Sequence, residues 1–379
     1  MKTTNLIAVA FAIGYFGSEF LPTIANVATV DTAAAGRMIA AFGLAQVVGL
    51  LFFGFLADRA KPLLPVKIAA GLFLLAAIVG ATMTPTGLLL ERLVSGAGAG
   101  VIGSLFRTVG RMRQSRGSII WAIIVGGAVG LVVPIIGWQI TGDPLGRAMG
   151  NLLVALIVCF LCARLPRLGQ TRHYHQEPWA TVSVWQALTK PSVLVLSITS
   201  FFSAGAYSVF FLVVSKEIIP RLDVDKTVVW LATAAVWIVG ALLGSLLTKK
   251  KHNTSPTVGL TLALTLTGLI YILPTPLRLS AAALILTILA LTVSVALIDK
   301  YWADLVSQAA DPRHEGMTFS LSLIVASSGR FVWPFVIGGA IGTWIDWRQA
   351  LLIIFLATEA CAATIFLTTR NSSKNGADT

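Results

Sequence analysis

The chain has 379 residues, 56% of them hydrophobic and only 12% charged, with a mean hydropathy of +0.85. A water-soluble domain carries about 25% charged residues to cover its surface, so a soluble enzyme is excluded. The net charge of +12 does not indicate nucleic acid either, because Lys and Arg lie in short segments between apolar runs and form no basic stripe with interleaved aromatics.

The apolar runs predict twelve spans, roughly 5–27, 37–57, 63–83, 86–106, 118–140, 148–165, 192–214, 227–247, 255–273, 280–298, 317–341 and 349–368. Each matches a hydrocarbon core about 30 Å thick. Strands of barrel length with alternating polarity are absent, and lipid requires each span to satisfy its own backbone hydrogen bonds. The expected fold class is an all-α membrane protein.

Span 1 follows Lys2 but extends past signal-peptide length and carries Glu19, so it is expected to be a retained helix. Tyr15, Thr23 and Asn26 share the face of Glu19 at helical spacing, a polar stripe suited to a cavity. A charge inside a span costs about 2.5–3.5 kcal/mol on insertion scales and needs a function or a partner. Glu19 is the candidate proton-coupling and cation site. Arg92, at similar depth in span 4, is the candidate partner that tunes it.

Span 2 carries Gln46, a candidate cavity residue, and ends in Gly54-Phe55-Leu56-Ala57-Asp58-Arg59. Span 4 reads Arg92-Leu93-Val94-Ser95-Gly96-Ala97-Gly98. Span 5 holds Gly126, Gly130, Pro134 and Gly137, a ridge of small residues suited to close packing at a pivot, and also Gln139, another cavity candidate. In span 6, Cys159 and Cys162 have CxxC spacing, but inside the run LLVALIVCFLCARL they are expected to be apolar packing residues. With Cys361 the count is odd and gives no disulfide framework.

The longest polar stretch follows. It holds Arg167, Arg172, His173, His175, Glu177 and Pro178 and divides the chain near its middle. The expected organisation is a bundle over residues 1–166, a linker over 167–190, a second bundle over 191–369 and a disordered tail over 370–379. His173 and His175 in a linker do not make a metal site, and no metal is expected.

In span 7, Ser200, Ala204, Tyr207 and Phe211 share one face, and Tyr207 is a candidate substrate contact. Gly244-Ser245-Leu246-Leu247-Thr248-Lys249 after span 8 echoes the Gly54 segment after span 2, and Pro334 in span 11 matches Pro134 in span 5. This repetition indicates two pseudo-symmetric six-helix halves. Arg330 and Trp333, the latter a cavity candidate like Gln46 and Gln139, lie in span 11 and Glu359 in span 12. Arg330 either forms an ion pair with Glu359 on the next helix or faces the cavity, where a guanidinium would receive an anionic group.

Lys and Arg crowd both ends of the chain and the segments after spans 2, 4, 6, 8 and 10. On the other side are only Arg37, Arg147, Lys216, Arg221, Lys226, Arg278 and Arg348. This bias predicts both termini in the cytoplasm, in a multi-pass protein of the inner membrane.

These segments resemble the major facilitator superfamily. Gly54-x-Leu56-Ala57-Asp58-Arg59 is similar to the family loop G-x-L-A-D-R-x-G-R-R/K, with Ala60-Lys61-Pro62 where x-G-R is expected. The resemblance implies that Gly54, Asp58 and Arg59 form a conformational latch between halves. Span 4 resembles the R-x-x-x-G-x-G pattern of proton-coupled members. Span 5 resembles the antiporter motif G-x-x-x-G-P-x-x-G-G, with Val133 before the proline. Ser18-Glu19-Phe20-Leu21-Pro22 resembles the E-F…L-P-x-I-A opening of sugar-, nucleoside- and drug-efflux members, with Glu19 and Pro22 closer together than in the sugar-efflux pattern and nearer the D/E-x-x-L-P of multidrug–proton antiporters.

The resemblance implies a monomeric secondary transporter that exports a small organic molecule in exchange for protons, without a cofactor. No Walker loop or dinucleotide fingerprint supplies another energy source. Two alternatives stand beside this reading. One is an importer or facilitator of an organic anion that uses Arg92 and Arg330. The other is a membrane sensor acting through the 165–190 loop.

Overall fold

The computed structural model describes residues 31–59, 64–101, 126, 128–141, 144–163, 190–247, 255–274, 280–309 and 315–375. Among these, α-helices account for nearly all regular structure. They are α1 (Thr32–Arg59), α2 (Leu64–Gly80), α3 (Pro85–Ala99), α4 (Val133–Thr141), α5 (Pro144–Ala163), α6 (Pro191–Val213), α7 (Lys226–Leu247), α8 (Pro256–Ile272), α9 (Ala281–Ala309), α10 (Glu315–Ala340) and α11 (Trp347–Asn375). They coincide in order with expected spans 2 to 12, and span 1 lies outside the described residues. Six of the described helices are long and apolar enough to cross a membrane.

Local chemistry sets many of the helix starts. Proline stands at the first turn of α3, α6 and α8, where the missing N–H removes no intrahelical bond. Thr84 caps α3 by accepting from the Gly87 amide at 3.0 Å. Two π-helical turns interrupt the pattern: Ala128–Val132 leads into α4, and Val214–Ile218 follows α6. Helix α9 runs to Ala309, past the expected end at residue 298. Helix α11 runs to Asn375, into the stretch expected to be tail.

The two halves form separate cores. Phe53, Val66, Phe73, Val101, Val154 and Val158 pack together in the first half of the chain. In the second half, Phe210, Tyr271, Leu284, Ile288, Leu291 and Leu351 form one core, and Leu260, Leu264 and Ile298 belong to another. Outward positions such as Leu262, Leu286, Phe160 and Leu356 are apolar and more than half exposed, as a lipid-facing surface requires.

The halves meet chiefly where α1 packs along α10, while α7 touches the Ala128–Val132 turn and α4. Glycines permit the α1–α10 seam. A Cβ on Gly36 would collide with the Pro334 carbonyl, and one on Gly43 would come within 2.8 Å of the Phe331 amide. A small apolar contact of Ala35, Ile39 and Leu212 extends the seam to α6. The contacts lie toward the first half of α1 and the last half of α10, so the bundles are closed at that end.

Candidate functional site

Helix α1 is held between α3 on one side and α10 on the other, and the polar groups cluster at its middle. On the α3 side, Arg92 is almost fully buried, with its guanidinium 5.7 Å from the centre of the Phe42 ring. That distance allows a cation–π contact in a setting where water cannot compete. On the α10 side, Gln46 Oε1 accepts from Ser327 Oγ at 3.1 Å and from Arg330 Nη1 at 3.4 Å. Gln46 and Ser327 are buried and Arg330 is half-buried. The amide thus ties the two halves together at the end of the tightly packed seam.

Asp299 of α9 lies within the electrostatic reach of Arg330. It lies seven residues after Thr292 and eleven after Ile288, both buried, so it shares their helix face. Leu286, at 64% exposure, marks the lipid side of the same helix, well round from it. Asp299 is nevertheless exposed. The charge of Arg330 acts on its carboxylate. The sequence reading ended span 10 one residue before Asp299, because a charge beside a lysine looks like the end of a span. Lys300 instead pairs with Asp304 at 3.7 Å along the continuing helix.

The Arg330–Glu359 pairing is corrected. Although α10 and α11 are consecutive, they share no packed interface; each packs on α6, and α11 also packs on α8. Glu359 turns to α8, against Gly268 and the Thr265 hydroxyl. Arg330 turns to Gln46. Sequence adjacency is a poor guide to neighbours in a bundle of this size.

The remaining candidates are dispersed. Tyr207 is half-buried, and its hydroxyl accepts from Trp237 Nε1 of α7 at 2.9 Å. Trp333 packs edge-on to Phe202, with ring centres 5.5 Å apart, and covers Gly205. It fastens α10 to α6 with part of its ring left open. Pro134 and Gly137 pack against Gly150 and Gly146 of α5, inside their own half. Gly126 and Gly130 are buried.

Gly54, Asp58 and Arg59 lie in the last turns of α1, which stays helical to Arg59. Their side chains fall outside the described residues, as does that of Gln139. Tyr15 and Glu19 lie outside entirely, so the Glu19–Arg92 pairing is not described. Glu91 and Arg147, passed over in the sequence, are both buried and interact electrostatically between α3 and α5. Cys159 donates to the Ala70 carbonyl at 3.3 Å and Cys162 is buried, as packing residues would be. Among the described residues no cluster of His, Cys, Asp and Glu could hold a metal ion.

This arrangement is two helical bundles, each with its own core, closed against each other at one end over a polar cluster. A family model described as Major Facilitator Superfamily matches residues 4–334. The chain belongs to the major facilitator superfamily. It is therefore a multi-pass membrane transporter and not an enzyme.

Among solved structures, the peptide transporter PepTSo of the POT family is similar with a TM-score of 0.75 at 10% identity, covering 98% of each chain. A POT family transporter in complex with a thioalcohol-conjugated peptide gives 0.73 at 11%, covering 97% of this chain and 96% of that one. The nucleoside transporter NupG gives 0.68 at 14%, covering 97% and 99%. At such identities the likeness is one of fold. No curated protein sequence matches the chain.

Proposed function

We propose that this major facilitator protein is a secondary transporter that exports a small organic molecule in exchange for protons. It alternates between states open to either side of the inner membrane, with both termini in the cytoplasm. The observation that carries this reading is a carboxylate, Asp299, on the buried face of an apolar helix and within the electrostatic reach of Arg330, which itself donates to Gln46 across the seam. A carboxylate whose access to water and to a cation changes between the two states changes its proton affinity with them, so it can carry a proton across the conformational change. Glu19 and Arg92 supply the corresponding pair in the first half, and the efflux-like opening around Glu19 sets the direction.

In this orientation the closed seam is on the outer side, so the cavity faces the cytoplasm, where an exporter loads. Tyr207 with its Trp237 partner offers an aromatic wall for an amphipathic ligand. Gln46 and Arg330 supply hydrogen-bond donors, and Trp333 extends the candidate wall. The substrates named for the structural neighbours are nucleosides and peptides, and both classes belong in the test panel.

The rival reading, an importer of organic anions with Arg92 and Arg330 as a clamp, is disfavoured by Asp299, which opposes any anion brought to Arg330. The test is proton flux in everted vesicles, challenged with cationic, neutral and anionic compounds. Wild type is expected to release protons on substrate addition, and Glu19→Gln to lose that release. Substrate-driven accumulation inside whole cells that needs Arg330 would instead establish the rival.

A further inference from the structure

The closed end of the seam carries an arginine and an indole on opposite halves, with a groove between them. Arg37 of α1 is exposed and has no hydrogen-bond or ion-pair partner among the described residues. Trp344, in the turn between α10 and α11, is 90% exposed.

Helix geometry places the groove. In the seam, a Cβ on Gly36 would lie 3.1 Å from the Gly338 Cα, and one on Gly338 would lie 3.0 Å from the Gly36 Cα. Arg37 and Gly339 come next on each helix, each turned about 100° away from that contact. Gly36 meets Gly338 while Gln46 meets Ser327, so the helices are antiparallel and both residues turn to the same side. Both are exposed. Leu44, two turns along α1 from Arg37, and Phe335, one turn back along α10 from Gly339, are exposed apolar side chains on those faces. A Cβ on Gly339 would meet nothing within 4 Å, which leaves a notch in the groove.

We propose that this groove seats an anionic phospholipid of the outer leaflet, with its phosphate on Arg37 and an acyl chain along Leu44 and Phe335, and that the bound lipid holds the seam closed. The proposal goes beyond the transporter reading and takes from it only that the closed end of the seam is the outer one.

Charge and depth fit this occupant. Arg37 is level with the last turn of α10, which ends at Ala340, so it stands at the edge of the apolar spans where headgroups lie. A guanidinium receives a phosphate through two parallel hydrogen bonds. The nearby acids are already engaged: Asp31 accepts from the Ala34 amide at 2.6 Å, and Glu217 pairs with Arg221 at 2.7 Å.

The turn holding Trp344 is built to keep it out. Gly342 donates to the Ile345 carbonyl and Trp344 to the Ala340 carbonyl, each at 2.9 Å. Asp346 and Gln349 exchange two amide-to-side-chain bonds of 2.8 Å. Gly342 takes a φ of +82°, which a side chain would strain. Trp347, three residues on, packs beside the second-half core, whereas Trp344 has no such seat. An indole held out at headgroup depth finds apolar and polar partners in the lipid.

The site is complete only while the seam is closed. Arg37 and Leu44 belong to the first half, and Phe335, Gly339 and Trp344 to the second, so opening parts the two rims. A ligand that binds one of two states shifts the equilibrium toward it by its differential affinity.

The test varies the lipid and needs no substrate. Spin labels are placed at Thr86→Cys and Asp223→Cys, exposed outer-end positions on opposite halves, with Cys159, Cys162 and Cys361 replaced by alanine. Full-length protein is measured by double electron–electron resonance in nanodiscs of phosphatidylcholine and of an equimolar mixture with phosphatidylglycerol. In the mixture, the wild-type closed-to-open ratio is expected to rise about fivefold, as for a ligand of the closed state at about four times its dissociation constant. Arg37→Ala should lose this rise, and Arg37→Lys, which keeps the charge, should retain part of it. Gly339→Leu fills the notch without a collision and should lose it too. Soluble glycerol phosphate added to phosphatidylcholine discs should change nothing.

A rise that survives in either Arg37→Ala or Gly339→Leu overturns the proposal, since it would report only the surface charge of the disc. A full rise with glycerol phosphate overturns it in favour of a bare anion. If wild type is fully closed in both compositions, native mass spectrometry of protein purified from the mixture decides. Wild type should retain phosphatidylglycerol about tenfold more than Arg37→Ala, as the loss of one charge-assisted contact implies, and equal retention overturns the proposal. A lipid response without substrate-driven proton flux would remove the antiport reading and leave the lipid site. Flux without lipid response or retention would do the reverse.

Discussion

Gln46 and Ser327 meet across the two halves at 3.1 Å, between side chains 281 positions apart in sequence and each almost fully buried. A bond of this kind contributes about 0.5–1.5 kcal/mol when made, and stranding its buried partner costs about 1–3 kcal/mol. Ser327→Ala is therefore expected to raise the open-to-closed ratio about fivefold. Gln46→Leu, which also strands the Ser327 hydroxyl and the Arg330 donor, should raise it more. The rate at which Ala35→Cys, buried in the seam against Leu212, reacts with an impermeant maleimide measures this ratio, with the native cysteines replaced by alanine. Equal rates in all three backgrounds would show that the junction does not hold the seam.

The glycines of α1 predict a steric phenotype. Gly43→Val adds a branched side chain where even a Cβ lies 2.8 Å from the Phe331 amide and 3.0 Å from the Arg330 carbonyl carbon. Backbone cannot move aside as a flexible side chain can, so the α1–α10 seam cannot close. Each half keeps its own core, and the protein should still fold and reach the membrane. Transport is expected to fall at least tenfold while outer-side maleimide labelling becomes fast. Normal transport by Gly43→Val would mean that the seam opens and closes without this contact.

Much of this fold could be read from the apolar runs, because a span's length is set by the bilayer and its sequence has little freedom to hide it. Gln46 and Arg330 were recognisable for the same reason: a polar group in an apolar run is costly and needs a cause. Asp299 was lost because hydropathy cannot distinguish a charge that ends a span from one on a helix that continues as far as Ala309. Of the two readings open for Arg330, the pairing with Glu359 fails on topology. Depth follows from sequence, but which helices are neighbours depends on how the bundle closes, and α10 and α11 face different partners. Ser327 gave no signal, since a serine in a transmembrane helix usually satisfies itself on its own backbone, as Ser328 does on the Ile324 carbonyl at 2.9 Å.

The corrected placement of Glu359 gives a clean contrast. With its carboxylate on α8, away from the seam, Glu359→Gln keeps the shape and the polar contact to Thr265. Substrate-driven transport is expected to stay within about twofold of wild type, whereas Arg330→Ala should lose it. Gly268→Ala would push a methyl group into Glu359 Oε1 and is expected to lower stability by about 1–3 kcal/mol, read as a fall in melting temperature of the purified protein. A transport defect in Glu359→Gln matching that of Arg330→Ala would restore the direct link between the two residues.

At the closed end, Trp347 lies between two guanidinium groups, Arg221 at 5.5 Å and Arg348 at 5.0 Å from its ring. Arg221 also pairs with Glu217 at 2.7 Å, and Glu217 accepts from Thr32 of α1 at 3.4 Å. The ion pair looks like the dominant element, but Arg221 is 58% exposed, and an exposed pair contributes less than about 1 kcal/mol. The indole offers two cation–π contacts, about 0.5–1 kcal/mol each at an exposed site, together with its apolar packing beside the second-half core. Trp347→Ala is therefore expected to cost about 1–3 kcal/mol and Arg221→Ala less than half of that. The Trp347→Ala loss should persist in high salt, where the Arg221–Glu217 contribution fades. Thermal unfolding of the three proteins at low and high salt checks the order, and a larger loss in Arg221→Ala that vanishes with salt would assign this end of the seam to the ion pair instead.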